Sequence, residues 1–216
     1  MNAIYHQQVL RRALAGRVSA RALTAIENAN LGQDSLRGLL QYHWHFDNNL
    51  FAEGLAYIET CREAAAQASA PEAAWAAFGR LSHAVQDFYS HSNYVALWMD
   101  RQPPGEAPPP EAIDGLDPAL LRHAGLRSGR VYMPWEALTI VPAMRGLVRL
   151  IVPRDSHAWM NLDHPGRGPL FPYSIEAALQ RTSAEFERTL AAIGEAGGEG
   201  AVRAFLDRAG ESNSRL

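Results

Sequence analysis

The chain has 216 residues, enough for one domain with a hydrophobic core and, on length alone, for two. Hydrophobic residues make up 47% of the chain and the formal net charge is −3, so we expect a globular protein without the basic surface typical of nucleic-acid binding. The single cysteine, Cys61, excludes a disulfide within the chain and a cysteine-rich zinc site, and we interpret it as a buried apolar residue.

The N-terminal segment lacks the basic stretch and apolar run of a signal peptide. No segment reaches the roughly 18 consecutive apolar residues that a membrane span requires. We therefore expect a protein without a transmembrane segment that is cytoplasmic as synthesised, with signal-less secretion as an alternative. Composition indicates no oligomeric state.

Helical patterning dominates the first hundred residues. The pattern predicts a short helix that ends at Gly16, a second helix capped by Ser19, and a third that begins at Phe51. Pro71 suits the first turn of a fourth helix, which the spacing of apolar residues extends to Trp98.

The second half begins with a proline-rich segment, residues 101–112, which contains five prolines and predicts a surface loop. Candidate site residues lie on both sides of it, so we interpret it as an insertion within one domain. A further helix is predicted over residues 134–153, kinked near Pro142. Arg145 and Arg149 share one face of that helix, which is typical of a solvated surface; peripheral contact with lipid headgroups is the alternative.

Residues 173–197 predict a long closing helix, and residues 211–216 a frayed tail. The sequence contains neither an internal repeat nor the alternation of apolar and polar residues that strands require. We therefore predict an all-α fold, a single-domain helical bundle over residues 1–210 with a metal site between its helices.

The metal site is suggested by the stretch LSHAVQDFYSHSNYV, in which His83, Asp87 and His91 are spaced four residues apart. Four residues advance about 400° along an α-helix, so the three side chains form a stripe on one face. The two histidines are about 12 Å apart along the helix axis, too far for one ion to hold both easily. Two ions bridged by the two oxygens of Asp87 fit this spacing better.

Other histidines and aspartates are also clustered, and seven of the eight histidines fall in four short segments. Imidazole and carboxylate groups are ligands that suit zinc and other divalent ions. For each residue alone, an ordinary structural role is the competing interpretation. The candidates outside the central stretch are His6, Asp34, His43, His45, Asp47, His157, Asn161, Asp163 and His164.

The central stretch resembles the HET-C family, named for a heterokaryon-incompatibility protein. The order of the clusters, from His6 to about Thr189, is similar to that of the zinc-dependent phospholipase C and single-strand nuclease superfamily. This resemblance implies an all-α fold that holds two or three Zn²⁺ ions. It implies the metal ligands His6, Asp34, His45, His83, Asp87, His91, His157 and Asp163, with Asp87 as the bridge and His45 preferred to His43.

The chain departs from the phospholipase pattern at three points. The second helical histidine follows Asp87 by four residues rather than six, as in HET-C. Asn161 stands where those enzymes have a carboxylate, so Asp163 must substitute. The chain begins with Met1, where the mature phospholipases begin with a tryptophan that binds metal through its amine and carbonyl.

These observations predict a metal-dependent phosphodiester hydrolase of the phospholipase C type, in which bound ions activate water. We assign Asp87 to the catalytic centre, and Asp47 either as general base or, preferably, as the group that orients a ligand imidazole. Asn93 and Tyr94 are candidates for substrate binding. A phospholipid is the preferred partner. The alternatives are a nuclease or nucleotide phosphodiesterase, disfavoured by the charge, and a non-catalytic, metal-stabilised self-recognition or toxin-like protein.

Overall fold

The computed structural model describes residues 1–105 and 107–208. Within these residues all regular secondary structure is helical, which confirms the predicted all-α class, and two isolated β-bridges are the sole extended pairings. The predicted tail, residues 211–216, lies outside the described residues. The α-helices in chain order are α1 (Ala3–Leu14), α2 (Ala20–Leu31), α3 (Phe51–Ala66), α4 (Pro71–His91), α5 (Tyr94–Met99), α6 (Pro118–Leu121), α7 (Arg145–Ile151), α8 (His157–Met160) and α9 (Phe171–Leu206).

Helix α4 is the centre of the bundle and packs against α2, α3 and α9. Its N-terminal half supplies large apolar side chains: Phe78 lies edge-on to Phe186, with 5.5 Å between ring centroids, and the Trp75 indole donates a hydrogen bond to the Phe205 carbonyl. Every residue of α4 from Leu81 to His91 is buried. The polar stripe predicted on this helix therefore faces the interior, where polar groups need partners.

Helices α2 and α4 approach each other closely at Gly79. A Cβ atom at this position would lie 2.5 Å from the Ile26 carbonyl oxygen and 2.7 Å from the Ala29 side chain. No real side chain tolerates such distances to backbone, so glycine is required for this spacing. The close contact brings α2, and the loop after it, against the polar face of α4.

Helices α3 and α9 are joined by a buried ion-pair network around Glu185. Its carboxylate is fully buried and accepts hydrogen bonds of 2.7 Å from Arg62, Arg181 and Arg188. Burial opposes ionisation of this carboxyl group, but Arg181 and Arg62 outweigh it and lower the pKa of Glu185 below its ordinary value. The network fixes one side of the bundle, away from the polar stripe.

The fourth helix ends earlier than the sequence pattern predicts. Helix α4 stops at His91, and the chain restarts as the separate helix α5. Between them, Ser92 is extended and forms a β-bridge with Ser128, while the Asn93 amide donates to the Arg127 carbonyl. Pairing with a distant segment replaces the helical hydrogen bonds at this point, and short-range periodicity contains no sign of it.

The helix predicted over residues 134–153 is also corrected. The structure has two 3₁₀ segments, Trp135–Ile140 and Pro142–Met144, and only then the short helix α7. Proline has no N–H group and cannot continue an α-helix through its own position, so the segment breaks rather than kinks. The closing helix α9 is longer than predicted, because it continues past a non-helical residue, Gly198, to Leu206.

Cys61 is buried, as its apolar interpretation predicts. In the part of the chain that the structure describes, no helix combines the length and apolar character needed to cross a membrane.

Candidate metal centre

The structure brings all of the predicted metal ligands, together with Asp47, into one cluster. Helix α4 supplies His83, Asp87 and His91, while α1, α8 and the loops after α2 and α8 supply the other side chains. Each member has a nitrogen or oxygen atom within 4.0 Å of another member. The cluster consists of His6, Asp34, His45, Asp47, His83, Asp87, His91, His157 and Asp163.

One group of ligand atoms gathers at the N-terminal end of the stripe. Asp87 Oδ2 lies 2.8 Å from His45 Nδ1 and 3.0 Å from His83 Nε2. Asp34 approaches from the loop after α2, with its Oδ1 atom 3.5 Å from His83 Nε2 and 4.0 Å from His45 Nδ1. Four potential ligand atoms from three parts of the chain lie close enough together to hold one metal ion.

A second group gathers at the C-terminal end of α4. His157 Nδ1 lies 2.8 Å from Asp47 Oδ1, which is also 3.4 Å from His91 Nδ1. Asp163 completes this end, with its Oδ1 atom 3.2 Å from His91 Nε2 and its Oδ2 atom 4.0 Å from His157 Nε2. Asp47, His91 and His157 form a second set that could hold a metal ion.

Asp87 lies between these two groups, and its two oxygens face in different directions. While Oδ2 contacts His45 and His83, Oδ1 lies 3.3 Å from His6 Nε2 and 3.7 Å from His91 Nε2. This is the arrangement that the spacing of the stripe predicts for a bridging carboxylate. The side chain is 1% exposed, so it has no access to bulk water as a substitute partner.

The environment of Asp87 favours positive charge. The amino nitrogen of Met1 is buried 2.5 Å from Asp87 Oδ1, 3.0 Å from Asp163 Oδ1 and 3.3 Å from His91 Nε2. Burial lowers the pKa of this amino group, but Asp163 and Asp87 outweigh burial and raise it to about 11. The carboxylates of the cluster therefore create a strongly negative potential, of the kind that binds a cation.

The protonation states of Asp87 and His83 suit metal binding. Burial opposes ionisation of Asp87, but the Met1 amino group, His91 and His83 lower the pKa of its carboxyl group well below the usual value. Burial lowers the pKa of His83 to about 4, against the attraction of Asp87. An ionised carboxylate and a neutral imidazole at neutral pH are the forms that coordinate metals.

His91 and His157 differ from these two groups. Burial lowers the pKa of both imidazoles, but the neighbouring carboxylates outweigh it. Asp87 raises the pKa of His91 well above its ordinary value, and Asp47 raises that of His157. A metal would therefore have to displace protons there.

Several ligand imidazoles are held by a hydrogen bond at the nitrogen that points away from the cluster. His45 Nε2 lies 3.3 Å from the Gly38 carbonyl, and His91 Nδ1 lies 2.9 Å from the His45 carbonyl. Such contacts fix the tautomer and leave the other ring nitrogen for a metal. His157 differs, because its Nδ1 atom contacts Asp47, which is itself a member of the cluster and of the second set that could hold a metal ion. The contact between Asp47 and His157 suits either a group that orients the imidazole or a second ligand beside it.

His6 offers a direct test of whether a cation fits. Its Nδ1 atom lies 2.5 Å from Gln86 Oε1, so this nitrogen carries the proton and donates it. The remaining nitrogen, Nε2, is buried, and none of the described residues gives it a hydrogen-bond partner. It faces Asp87 Oδ1 at 3.3 Å. A lone pair directed at a carboxylate is unfavourable unless a cation lies between them, so the residues present fit a metal ion.

A backbone crossing at Gly129 holds the second group in place. The backbone N–H of Gly129 donates to the His91 carbonyl, and the Gly129 carbonyl accepts from the backbone N–H of Asn48. The backbone N–H of His157 donates to the carbonyl of Arg130, the residue after Gly129. A Cβ atom on Gly129 would lie 2.5 Å from His157 Cα. Only glycine lets the chain pass this close to α8.

The residues around Asp47 have unusual backbone conformations. Phe46, Asn48 and Asn49 all have positive φ angles, between 57° and 60°. Asparagine tolerates this region better than most residues, and both asparagine side chains accept backbone hydrogen bonds, from Val131 and Ser128. Backbone conformations of this kind persist only where the surrounding contacts enforce them, and they are often found at functional sites.

Sequence reasoning missed two groups of residues that support the cluster. Gln86 accepts from His6 and, at 3.3 Å, from the buried amide of Asn30. Its position three residues after His83, on the same polar face of a buried helix, was the available signal. The Asn48–Asn49 pair was the second signal, since successive asparagines favour left-handed conformations.

The structure places the two predicted substrate-binding residues elsewhere. Asn93 uses its side-chain amide to hold the loop at Gly125 and Arg127. Tyr94 is fully buried against Phe88, and its hydroxyl donates to the Asp114 carbonyl at 2.5 Å. Neither residue lines the two cavities next to the cluster.

The remaining polar candidates also have local roles. His43 packs edge-on against Tyr57, His164 accepts from the Gly166 amide, and Asn161 donates to the His157 carbonyl. The preference for His45 over His43 agrees with this geometry, because His43 is outside both ligand groups.

Two cavities open onto the cluster and share Thr139, Arg145 and His157 in their walls. One, of about 380 Å³, has an apolar rim formed by Leu36, Leu39, Leu40 and Met133 and reaches Asp47. The other, of about 360 Å³, contains Arg145, Arg149 and Arg167 and reaches Asp163. We call them the apolar cavity and the arginine cavity. The ligand groups are therefore accessible from two chemically different sides.

The comparisons with known proteins correct the resemblance drawn from the central stretch. Residues 2–106 match the model of the VWA7 N-terminal domain, and this match overturns the assignment to the HET-C family and to the phospholipase C superfamily. The matched segment contains α1 to α5 and seven members of the cluster: His6, Asp34, His45, Asp47, His83, Asp87 and His91. No curated protein and no solved structure shows significant similarity to the chain. The chain is thus similar, over nearly its first half, to the VWA7 N-terminal domain.

Proposed function

We propose that the protein is a metal-dependent phosphodiester hydrolase that acts on a phospholipid. The observation that carries the proposal is the position of the His/Asp cluster at the junction of the apolar and arginine cavities. His157, which lines both cavities, is 24% exposed, while Asp163 is 19% and Asp34 37% exposed. A purely structural metal site has a closed shell, whereas a catalytic one keeps a side open to substrate.

The ligand groups suit two divalent ions, and Zn²⁺ is the ion we favour, because imidazoles and carboxylates together are typical zinc ligands. Asp34, His45, His83 and Asp87 would hold one ion. His91, His157 and Asp163 would hold the other. Asp87 would contribute to both ion sites, and His6 Nε2 faces Asp87 Oδ1. When bound, such ions lower the pKa of a water molecule and stabilise the charge on phosphodiester oxygens.

The chain's own residues would position the reactants. Asp47 fixes the His157 ring through its Nδ1 atom, so that the opposite ring edge faces the cavities. Asp87 is buried and contacts His45 and His83 on one side and His91 on the other, so it fixes the separation of the two ligand groups. Hydrolysis adds a water oxygen to phosphorus, breaks one phosphorus–oxygen ester bond and transfers a proton to the leaving alcohol. The half-exposed Asp34 carboxylate lies where it could exchange that proton with solvent.

The apolar cavity favours a lipid over a nucleotide. Its rim exposes Leu36 by 80%, Leu40 by 59% and Met133 by 51%. Further exposed apolar side chains lie nearby on α7, where Leu150 is 81% exposed. Apolar patches with basic neighbours are typical of surfaces that rest on a membrane. Tyr42 is the one phenol or indole ring among the described residues that line the two cavities, whereas a single-stranded nucleic acid is typically bound by several stacked aromatic side chains.

The test compares substrates on the Zn²⁺-loaded protein. Diacylglycerol release from phospholipid vesicles is measured beside hydrolysis of bis(4-nitrophenyl) phosphate and of single-stranded DNA. We expect vesicle hydrolysis to be the fastest, as in phospholipase C-type cleavage, and to require the metal. Leu36→Asp should lower the vesicle rate at least tenfold, while Leu55→Asp, the same substitution at an exposed leucine of α3, serves as the control. Failure to cleave any of these diesters would contradict the proposal in favour of a metal-stabilised, non-catalytic protein.

A further inference from the structure

The arginine cavity contains positive charge that the protein itself does not neutralise. Arg145, Arg149 and Arg167 all line it. Among residues 1–105 and 107–208, none of the three guanidinium groups has a carboxylate within ion-pair distance. The one carboxylate in the lining, Asp163, contacts the Met1 amino group and His91 instead. Three cations around one cavity therefore lack a counter-charge.

The existing hydrogen bonds of these arginines hold them in place without using their full donor capacity. Arg145 donates through Nε to the Thr139 carbonyl, and Arg149 through Nε to the Ala158 carbonyl. Arg167 uses Nε and one terminal nitrogen to bind three carbonyls of the segment 158–161. A guanidinium has five N–H donors, so terminal N–H groups of all three remain for a ligand.

The size and charge of the cavity identify the chemical class of that ligand. A phosphate monoester carries a charge of about −1.5 to −2 at neutral pH and offers three acceptor oxygens. It can therefore bind several guanidinium groups at once, whereas a carboxylate has a single charge and two oxygens. The cavity volume of about 360 Å³ equals the space of roughly twelve liquid water molecules. A phosphate group alone is smaller, so there is room for the headgroup that carries it.

We propose that the arginine cavity binds a phosphate monoester on the substrate, so that the preferred substrate is a phosphodiester lipid with a second, terminal phosphate on its headgroup. This inference rests on the proposed function for the identity of the bond that is cleaved. The scissile phosphodiester lies at the His/Asp cluster, and the second phosphate lies beyond His157 and Asp163, between the arginines. The lipid chains extend along the apolar cavity toward its leucine-rich rim, and Arg145 lies where the two cavities meet.

The first arm of the test measures inorganic phosphate binding by isothermal titration calorimetry on the protein as purified. Arg145→Gln is the main variant, because this side chain is exposed and makes a single hydrogen bond. Arg167→Gln is the second variant. Arg154→Gln is the matched control, since Arg154 is exposed and stacks on Trp159, but does not line the cavity. We expect the dissociation constant to rise at least tenfold in both cavity variants and to stay within twofold in the control.

The second arm compares vesicles that contain phosphatidylinositol 4-phosphate with vesicles that contain phosphatidylinositol. We expect wild type to prefer the phosphorylated lipid in kcat/KM, and Arg145→Gln to reduce that preference at least tenfold. Arginine-dependent binding of inorganic phosphate without a lipid preference would identify free phosphate as the source of the ligand. Equal phosphate binding by wild type and both cavity variants would overturn the proposal. If no lipid is cleaved but phosphate binding still depends on Arg145, the hydrolase proposal fails and the anion site stands.

Discussion

Gln86 provides a specific test of how the cluster is organised, because it touches a proposed ligand but is not one itself. Its Oε1 atom accepts hydrogen bonds from His6 Nδ1 at 2.5 Å and from Asn30 at 3.3 Å. In Gln86→Met the side chain keeps its length and loses this acceptor, together with the donor of a long, 3.5 Å hydrogen bond to Thr182. Asn30 retains its 3.0 Å hydrogen bond to Ser82, so the main cost falls on His6.

The expected magnitude follows from that one buried donor. An unsatisfied buried donor costs about 1–3 kcal/mol, so the free energy of unfolding of Gln86→Met should fall by this amount. Loss of the group that orients a ligand imidazole typically lowers metal affinity about 10–100-fold. Metal affinity is measured by competition with a chromophoric chelator at neutral pH, and stability by urea unfolding followed by circular dichroism.

A control variant separates stability from metal binding. Gln180 also makes two hydrogen bonds, to Gly115 and Ile113, but far from the cluster. Gln180→Met should lose comparable stability while keeping wild-type metal affinity. If Gln86→Met binds metal as tightly as Gln180→Met does, the assignment of His6 as a ligand oriented by Gln86 is refuted.

Two further predictions concern the scaffold. Glu185→Gln should destabilise the protein by about 3 kcal/mol near pH 7, because it removes the buried carboxylate that pairs with the partly buried Arg62 and Arg181. Since the folded pKa of Glu185 is depressed, its contribution to stability is present above the unfolded value near 4.5 and is lost as the pH falls through the folded value, so urea unfolding of wild type and variant should converge in acid. A constant difference down to pH 3 would contradict this account. Gly129→Ala should force Cβ against His157, lower the free energy of unfolding by more than about 2 kcal/mol and reduce the bound metal. Gly200→Ala, whose Cβ meets no neighbour within 4 Å, should do neither. Retained metal content in Gly129→Ala would show that the close backbone contact at Gly129 does not position His157.

The part of the site that could be predicted from the sequence is the part encoded by local spacing. His83, Asp87 and His91 lie on one face of a helix wherever a helix forms, so the two-sided arrangement around Asp87 follows from the residue spacing. Burial of that face does not follow from the spacing. It depends on close approach at Gly79, which is a contact between two helices.

The features that sequence reasoning missed depend on contacts between distant segments. Helix α4 stops at His91 because Ser92 pairs with Ser128, and Tyr94 is buried because the turn redirects α5 into the core. The arginine cavity likewise joins α7 to the loop after α8. The family assignment failed for a related reason: a short spacing of histidines and aspartates is dictated by metal geometry and can occur in unrelated families.

The most direct test of the account is the metal content of the purified protein, measured by elemental mass spectrometry on wild type, Asp87→Asn and the control Asp100→Asn. Asp87 contacts both ligand groups, whereas Asp100 is an exposed residue after α5. We predict at least two equivalents of zinc or a similar divalent ion in wild type and in Asp100→Asn, and loss of most of this metal in Asp87→Asn. Wild-type protein that binds no metal even after reconstitution with Zn²⁺ would contradict the account, and the cluster would then be a hydrogen-bonded structural core.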